Sequence, residues 1–162
     1  MPKEIDDTTR ALLKEVLKRC CGVVQCNDSA LWLAEGDHLH PLLGYGPHSE
    51  LFIGKYSHPL SEGLISMVYS SGQPFCENNI HTNPQHSSTL DQQLNIKTDA
   101  MIVMPIVFSG KINGVITCVH TSASEASENS APRKEFTSAD ISELEFTTVL
   151  VGRILESATS WN

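Results

Sequence analysis

Residues 99–108 and 112–120 constrain this chain more than any other part of it. They are two apolar, β-branched runs separated by Ser109-Gly110-Lys111. Apolar runs of this length on either side of a turn signal read as the two strands of a hairpin. Ala100, Ile102, Met104 and Ile106 point to one side, and Met101, Val103, Pro105 and Val107 to the other. Both faces are apolar, so the hairpin needs cover on both sides. Pro105 has no N–H and therefore belongs at a bulge or facing away from a partner strand. Gly114 allows another backbone, or a ligand, to approach the sheet closely.

The flanking segments supply that cover. Asp6 or Asp7 caps a first helix, in which Leu12, Leu13, Val16, Leu17, Cys20, Val23 and Val24 recur at helical spacing. The helix runs to about residues 21–25, where Gly22 is a possible early stop. Asn27-Asp28-Ser29 reads as a turn. Ala30-Leu31-Trp32-Leu33-Ala34 and His38-Leu39-His40-Pro41-Leu42-Leu43-Gly44-Tyr45 read as a hairpin about Glu35-Gly36-Asp37. Pro41 places the second strand at an edge or a bulge. A short helix covers 64–69 and ends at Gly72, a short strand covers 73–77, and 78–88 is polar and irregular. One or two helical turns are expected within 90–96. Phe136-Thr137-Ser138-Ala139-Asp140 opens a last helix, with Thr137 as cap, Asp140 completing a capping box, and Phe136 and Ile141 as hydrophobic staple. Its apolar stripe is Ile141, Leu144, Val149 or Thr148, Val151, Leu155 and Ala158.

The expected fold is α+β, layered α/β/α. An antiparallel sheet of five to six strands carries the N- and C-terminal helices together on one face and short helices and loops on the other. Residues 1–162 form one domain: an N-terminal helix over 1–26, the sheet with inserted helices and loops over 29–121, a mobile loop over 122–136, and a C-terminal helix over 137–160.

Composition excludes function classes more than it selects one. Lys plus Arg number 11 and Asp plus Glu 19, a net charge of −8. An acidic chain disfavours nucleic-acid and anionic-membrane surfaces, both of which need clustered cations. The longest mostly apolar run, 100–108, is far short of the roughly 20 residues of a spanning helix. The first seven residues lack the apolar core of a signal peptide. Five cysteines, with Cys20 and Cys21 adjacent, do not read as a disulfide framework, so a cytoplasmic location is expected.

Five segments in this order resemble the GAF domain family over essentially the whole chain. Residues 30–37 resemble its first hairpin. Gly63, the following helix and Ser71-Gly72-Gln73-Pro74 are similar to its "G…A…SGQP" helix and turn. Asn78-Asn79 and Pro84 lie where members often have Asn-Asp and Pro. Met101-Ile102-Val103-Met104-Pro105-Ile106, Gly110 and Ile112-Asn113-Gly114-Val115-Ile116 resemble its central hairpin. Phe136-Thr137-Ser138-Ala139-Asp140 is similar to the start of its last helix. The resemblance is to a stand-alone domain of bacterial type with a GAF/PAS-like sheet. It implies a sensory or regulatory module in signal transduction, binding a small molecule beside the sheet and passing the state through the terminal helices to a partner. These 162 residues match one such domain with its terminal helices, so output is expected through a partner protein unless the chain is a fragment of something longer.

The expected pocket lies between one sheet face and residues 64–96, with Tyr69, Cys76, Asn78, Asn79, His81, His86 and Asp91, together with Met101 and Val103, as candidate ligand-binding residues. Alanine at Asn78 or His81 is expected to change affinity more than stability, because both sit in a polar loop. The ligand, or any cofactor, is not named by the residues. Asn95-Ile96-Lys97-Thr98-Asp99 keeps only fragments of the cyclic-nucleotide signature of the family, and Cys118-Val119-His120 is not its bilin-attachment pattern. An alternative is an enzyme related to free methionine-(R)-sulfoxide reductase, because residues 79–86 resemble a stretch of those enzymes. No cysteine occurs between Glu77 and Thr117, however, so no complete catalytic constellation is legible. A ligand-free dimerisation module is the other alternative. Cys20, Cys21 and Cys26 do not follow zinc spacing, and His38 and His40 alone make no metal site. A homodimer through the terminal helices is expected, using Leu13 and Leu17 or Phe146, Leu150 and Ile154.

Overall fold

The computed structural model describes residues 5–123 and 134–159, with the side chains of His81 and Thr159 outside that description. Helix α1 spans Asp7–Val24. Asp6 caps it, its carboxylate accepting the Thr9 N–H at 2.6 Å. Gly22 does not end the helix. The end comes at Gln25, which adopts a left-handed conformation (φ 56°) and donates its N–H to the Cys21 carbonyl.

Strands β1 (Asp28–Glu35) and β2 (His38–Tyr45) form the first hairpin. Asp28 and Ser29 are buried strand residues instead of a turn. A register shift lies opposite Leu31 and Trp32, beside Pro41, so the proline sits at a bulge. The stretch that follows contains helix α2 (Ser49–Phe52) and the two-residue strand β3 (His58–Pro59). Helix α3 (Leu64–Ser71) ends at Gly72 in the left-handed region. Strand β4 is Phe75–Glu77, a 3-10 turn covers Ile80–Thr82, and helix α4 is Thr89–Leu94.

The central hairpin is longer than its apolar runs. β5 spans Ile96–Phe108 and β6 spans Lys111–Ala123. Thr98 and Asp99 are polar and yet buried. Thr98 joins the strand because Asp91 accepts both its N–H (2.9 Å) and its hydroxyl (2.8 Å). The segment 122–136, expected as a mobile loop, begins inside β6, and its residues 124–133 lie outside the described residues. Helix α5 is Ser138–Thr159. Thr137 and Asp140 form the capping box, the Thr137 N–H donating to Asp140 at 2.8 Å and the Asp140 N–H to the Thr137 hydroxyl at 3.4 Å.

The six strands form one antiparallel sheet in the order β3-β2-β1-β6-β5-β4. Its two faces separate as the alternation in β5 requires. Ala100, Ile102, Met104 and Ile106 pack with Leu31, Ile116 and Cys118 under α1 and α5. Met101 and Val103 pack with Trp32, Val115, Leu64 and Ile80 under α2, α3 and the 3-10 turn. Gly114 faces β1 so closely that a Cβ would stand 1.9 Å from the Trp32 carbonyl oxygen. β4 pairs with β5 only at 101–103, so the strand edge beside Pro105 needs no donor from it.

The structure corrects one detail of the helix faces and decides another. Leu13 and Leu17, offered above for a second chain, are fully buried in the core. Each such side chain contributes about 1.5–3 kcal/mol by leaving water. On α5 it is Thr148 that turns inward, while Val149 is 57% exposed.

Candidate functional site

A cavity lies between the β1-β6-β5 face and the cover formed by α2, α3, residues 86–87 and α4. Its enclosed volume is about 90 Å³, and it opens to solvent on one side. Its walls are largely apolar: Ala30, Trp32, Phe52, Leu64, Ile65, Leu90, Leu94, Met101 and Val119. Trp32 is held on three sides. It stacks on Phe52 (centroids 5.7 Å, interplanar 14°), meets the edge of Tyr56 at 6.0 Å, and donates its indole N–H to the Thr117 hydroxyl at 3.1 Å. An indole fixed in this way is a rigid wall, because its only polar atom is already satisfied.

Among the polar residues that interrupt the walls are three histidines, each with a fixed partner. The buried Asp28 accepts the His48 N–H on one oxygen and faces His48 Nδ1 with the other, both at 2.8 Å. A carboxylate only accepts, so His48 carries a proton on Nδ1. Gly46 (φ 131°) makes room for this pair, since a Cβ there would lie 2.3 Å from the Asp28 carboxylate. His58 is bonded at both ring nitrogens, with Nε2 2.7 Å from the Glu62 carbonyl and Nδ1 2.9 Å from the Tyr56 hydroxyl. The carbonyl only accepts, so Nε2 bears a proton; in the neutral ring that burial favours, Nδ1 accepts from the tyrosine hydroxyl. Burial pushes the His58 pKa down and that of Tyr56 up to about 12, in keeping with this state. The third group is His86, whose Nε2 lies 3.4 Å from the carboxylate of Asp91. Asp91 is anchored by its two bonds to Thr98, so His86 has a fixed partner on one side and the cavity on the other.

Of the sequence candidates, His86, Asp91 and Met101 line the cavity. Tyr69 and Val103 pack in the core on the same sheet face, outside the lining. Cys76 packs against the cluster under the terminal helices, on the opposite face. The Asn78 amide is committed to Phe136, donating to its carbonyl at 3.1 Å and accepting its N–H at 2.8 Å. Its expected role in a polar loop is thereby corrected: it is a tie to the start of α5. Asn79 is exposed, and its carbonyl accepts from Thr82. His81 lies in the 3-10 turn, and its side chain is outside the described residues. Sequence reasoning missed Asp28, His48, Trp32 and Phe52. The Gly46-Pro47-His48 turn was the available signal, but only the fold brings it against Asp28. Among the described residues no group of three or more ligating side chains is placed to hold a metal ion.

A single antiparallel sheet, terminal helices on one face and a cavity under short helices on the other define a class of small α+β domains. The chain belongs to the GAF domain family, which matches it over residues 8–155. GAF domains generally serve as small-molecule-binding modules in signal transduction. Solved structures with the same fold include the GAF domain of a phosphoenolpyruvate-protein phosphotransferase from Coxiella burnetii (15% identity, 94% of this chain and 84% of that chain, TM-score 0.77). A type II free methionine-R-sulfoxide reductase from Thermoplasma acidophilum is also similar (14% identity, 96% and 98%, TM-score 0.73). So is the GAF-B domain of DevS from Mycobacterium smegmatis (12% identity, 94% and 96%, TM-score 0.68). At these identities the likeness concerns the fold alone. No curated protein matches the chain. No helix among the described residues is long and apolar enough to cross a membrane.

Proposed function

We propose that this chain is a sensory module that takes a small, mostly apolar molecule into the cavity beside β1, β6 and β5. The observation that carries this reading is the cavity wall itself: apolar surfaces around Trp32 with His86–Asp91 and Asp28–His48 as polar handles. Pockets that orient a ligand are commonly built this way, with apolar area for affinity and a few fixed polar groups for orientation. The route outward is short. Met101 lines the cavity, while its neighbours Ala100 and Ile102 pack under α1 and α5, so a ligand that shifts β5 shifts the helix-facing side chains with it. Output then passes through the terminal helices to a partner protein. The free thiols suit a reducing compartment, the cytoplasm.

Native mass spectrometry of the purified protein tests the reading. Support is an added mass, lost on denaturation, that disappears in Leu90→Trp, where the larger side chain fills the cavity. Apoprotein mass alone, with no metabolite from a broad panel raising the melting temperature, would overturn it.

We further propose a homodimer through the outer faces of α1 and α5. The two helices run antiparallel, since Arg19 pairs with Glu143 and Leu12 neighbours Ile154. Leu12, Phe146 and Val149 are each more than half exposed there, and the Arg19 guanidinium lies over the Phe146 ring. These replace Leu13 and Leu17 as the contact residues. Analytical ultracentrifugation should give a dimer mass that Phe146→Glu reduces to a monomer. A wild-type monomer at tens of micromolar overturns the dimer.

A further inference from the structure

The cavity does not account for the chain's cysteines. Cys20, Cys21, Cys26 and Cys118 cluster where α1 hands over to β1, on the far side of the sheet. Two of them are nearly bonded. Cys21 Sγ and Cys26 Sγ lie 3.0 Å apart. The backbone brings them there: Gln25 takes the left-handed conformation, which folds the chain back so that the Cys26 N–H bonds the Cys21 carbonyl at 3.2 Å. A disulfide needs about 2.05 Å between sulfurs and closely approaching Cα atoms. The backbone bond draws the two residues together, and closing the sulfur gap takes a movement of roughly 1 Å.

We propose that Cys26 and Cys21 form a dithiol oxidised by hydroperoxides, a reversible modification site on the α1–β1 connection. Cys26 is the attacking sulfur, because it is partly exposed while Cys21 is buried. Contact with the Cys118 and Cys21 side chains holds its thiol below the ordinary range, as does the nearby His120. Cys21, whose sulfur accepts the Cys26 S–H while its own S–H donates to the Cys26 carbonyl at 3.0 Å, is pushed upward by the pairing with Cys26 and by burial.

The chemistry closes without a further reagent. The Cys26 thiolate attacks one oxygen of hydrogen peroxide, the O–O bond breaks, and hydroxide leaves to take up a proton as water. The sulfur has lost two electrons and is a sulfenic acid. Cys21 then attacks that sulfur, the S–O bond breaks, and the departing hydroxide takes the Cys21 proton as a second water. Two thiols and one peroxide thus give one disulfide and two waters. A small dithiol reverses the reaction by exchange.

The bond would tie the end of α1 to the strand that forms the cavity floor. Asn27 follows directly, donating to the Val119 carbonyl at 2.9 Å and accepting the Thr121 N–H at 2.8 Å, and Asp28 comes next. Val119, Thr121 and Asp28 all line the cavity. The proposal stands on the sulfur geometry and does not depend on a ligand in that cavity.

Folded protein exposed to a small excess of hydrogen peroxide tests it by intact mass and peptide mapping. The expected result is a loss of about 2 Da, one disulfide, in the wild type and in Cys20→Ser, restored by a dithiol. In Cys21→Ser, or Cys21→Ala if the serine variant does not fold, Cys26 should stop at a sulfenic acid trapped by dimedone. In the wild type, which needs no variant to fold, Cys26 should be alkylated at least about tenfold faster than the half-buried Cys76. The same mass loss in Cys26→Ser, equal reactivity of Cys26 and Cys76, or oxidation only in denaturant would each overturn the proposal.

Discussion

Asn78 and Phe136 exchange two hydrogen bonds across 58 residues of chain, the amide nitrogen donating to the carbonyl at 3.1 Å and the amide oxygen accepting the N–H at 2.8 Å. The pair fastens the exit of β4 to the residue just before the α5 cap. Removing it strands two partly buried backbone groups. Asn78→Ala should lower unfolding free energy by about 1–3 kcal/mol, measured by urea denaturation. A stability equal to wild type would mean that the tie carries no energy.

Gly114 is required by the backbone of β1. With a Cβ 1.9 Å from the Trp32 carbonyl and 3.1 Å from the Leu33 Cα, no rotation relieves the clash, because the obstacle is main chain in a central strand pair. Gly114→Ala should cost about 3 kcal/mol or more, visible as a lowered thermal midpoint or insoluble expression. A variant that melts within a few degrees of wild type would show that β1 and β6 can separate locally.

Gly63 serves the neutral His58. Its φ of 83° disfavours a side chain, and a Cβ would lie 2.6 Å from His58 Nε2, the atom that donates to Glu62. Gly63→Ala should destabilise by about 2 kcal/mol. The imidazole resonances of His58 should shift in NMR spectra as its bond to Glu62 is displaced, and unmoved resonances would contradict the assignment.

His120 makes stability depend on pH. Burial holds its imidazole below the ordinary value, outweighing the opposing pull of Cys26, Asp140 and Asp99, and Lys134 pushes the same way as burial. Its ring stacks on Phe136 at 4.2 Å, and its Nε2 has no hydrogen-bond partner among the described residues. A histidine with a lowered folded pKa binds fewer protons folded than unfolded between the two values. Stability is therefore complete above the unfolded value of about 6.5 and falls as acid carries pH through it towards the folded pKa. His58, lowered chiefly by burial, adds in the same direction. Urea midpoints should drop between about pH 7.5 and about pH 5.5. His120→Phe, which keeps the stack and removes the unpaired nitrogen, should reduce that drop and add about 1 kcal/mol near neutrality. A variant with an undiminished pH drop would remove His120 from the account.

The elements most visible in the sequence are those written by local periodicity. The two-faced alternation of β5, the Asp6 cap, the Thr137–Asp140 box and the turns at Gly36, Gly72 and Gly110 each depend on residues a few positions apart. The sequence places the start of β5 at residue 99, three residues late, because Lys97 and Thr98 are polar. Only the bonds from Asp91 make Thr98 a strand residue. In the site, His86 and Asp91 stood out as titratable groups in a polar loop, whereas Asp28 looked like a turn former. Its buried bond to His48 spans 20 residues and has no local signature.

What the sequence determined by itself is the fold: a hairpin apolar on both faces must be covered on both, and two capped amphipathic helices at the ends supply one of the covers. What only the tertiary structure decided is which polar residues meet. Asn78 turned out to hold Phe136, Leu13 and Leu17 to fill the core, and Cys26 to lie against Cys21. Periodicity says which way a side chain faces. Its partner is set by how the chain returns, through the sheet order and a single left-handed residue at Gln25, and that information is spread over the whole molecule.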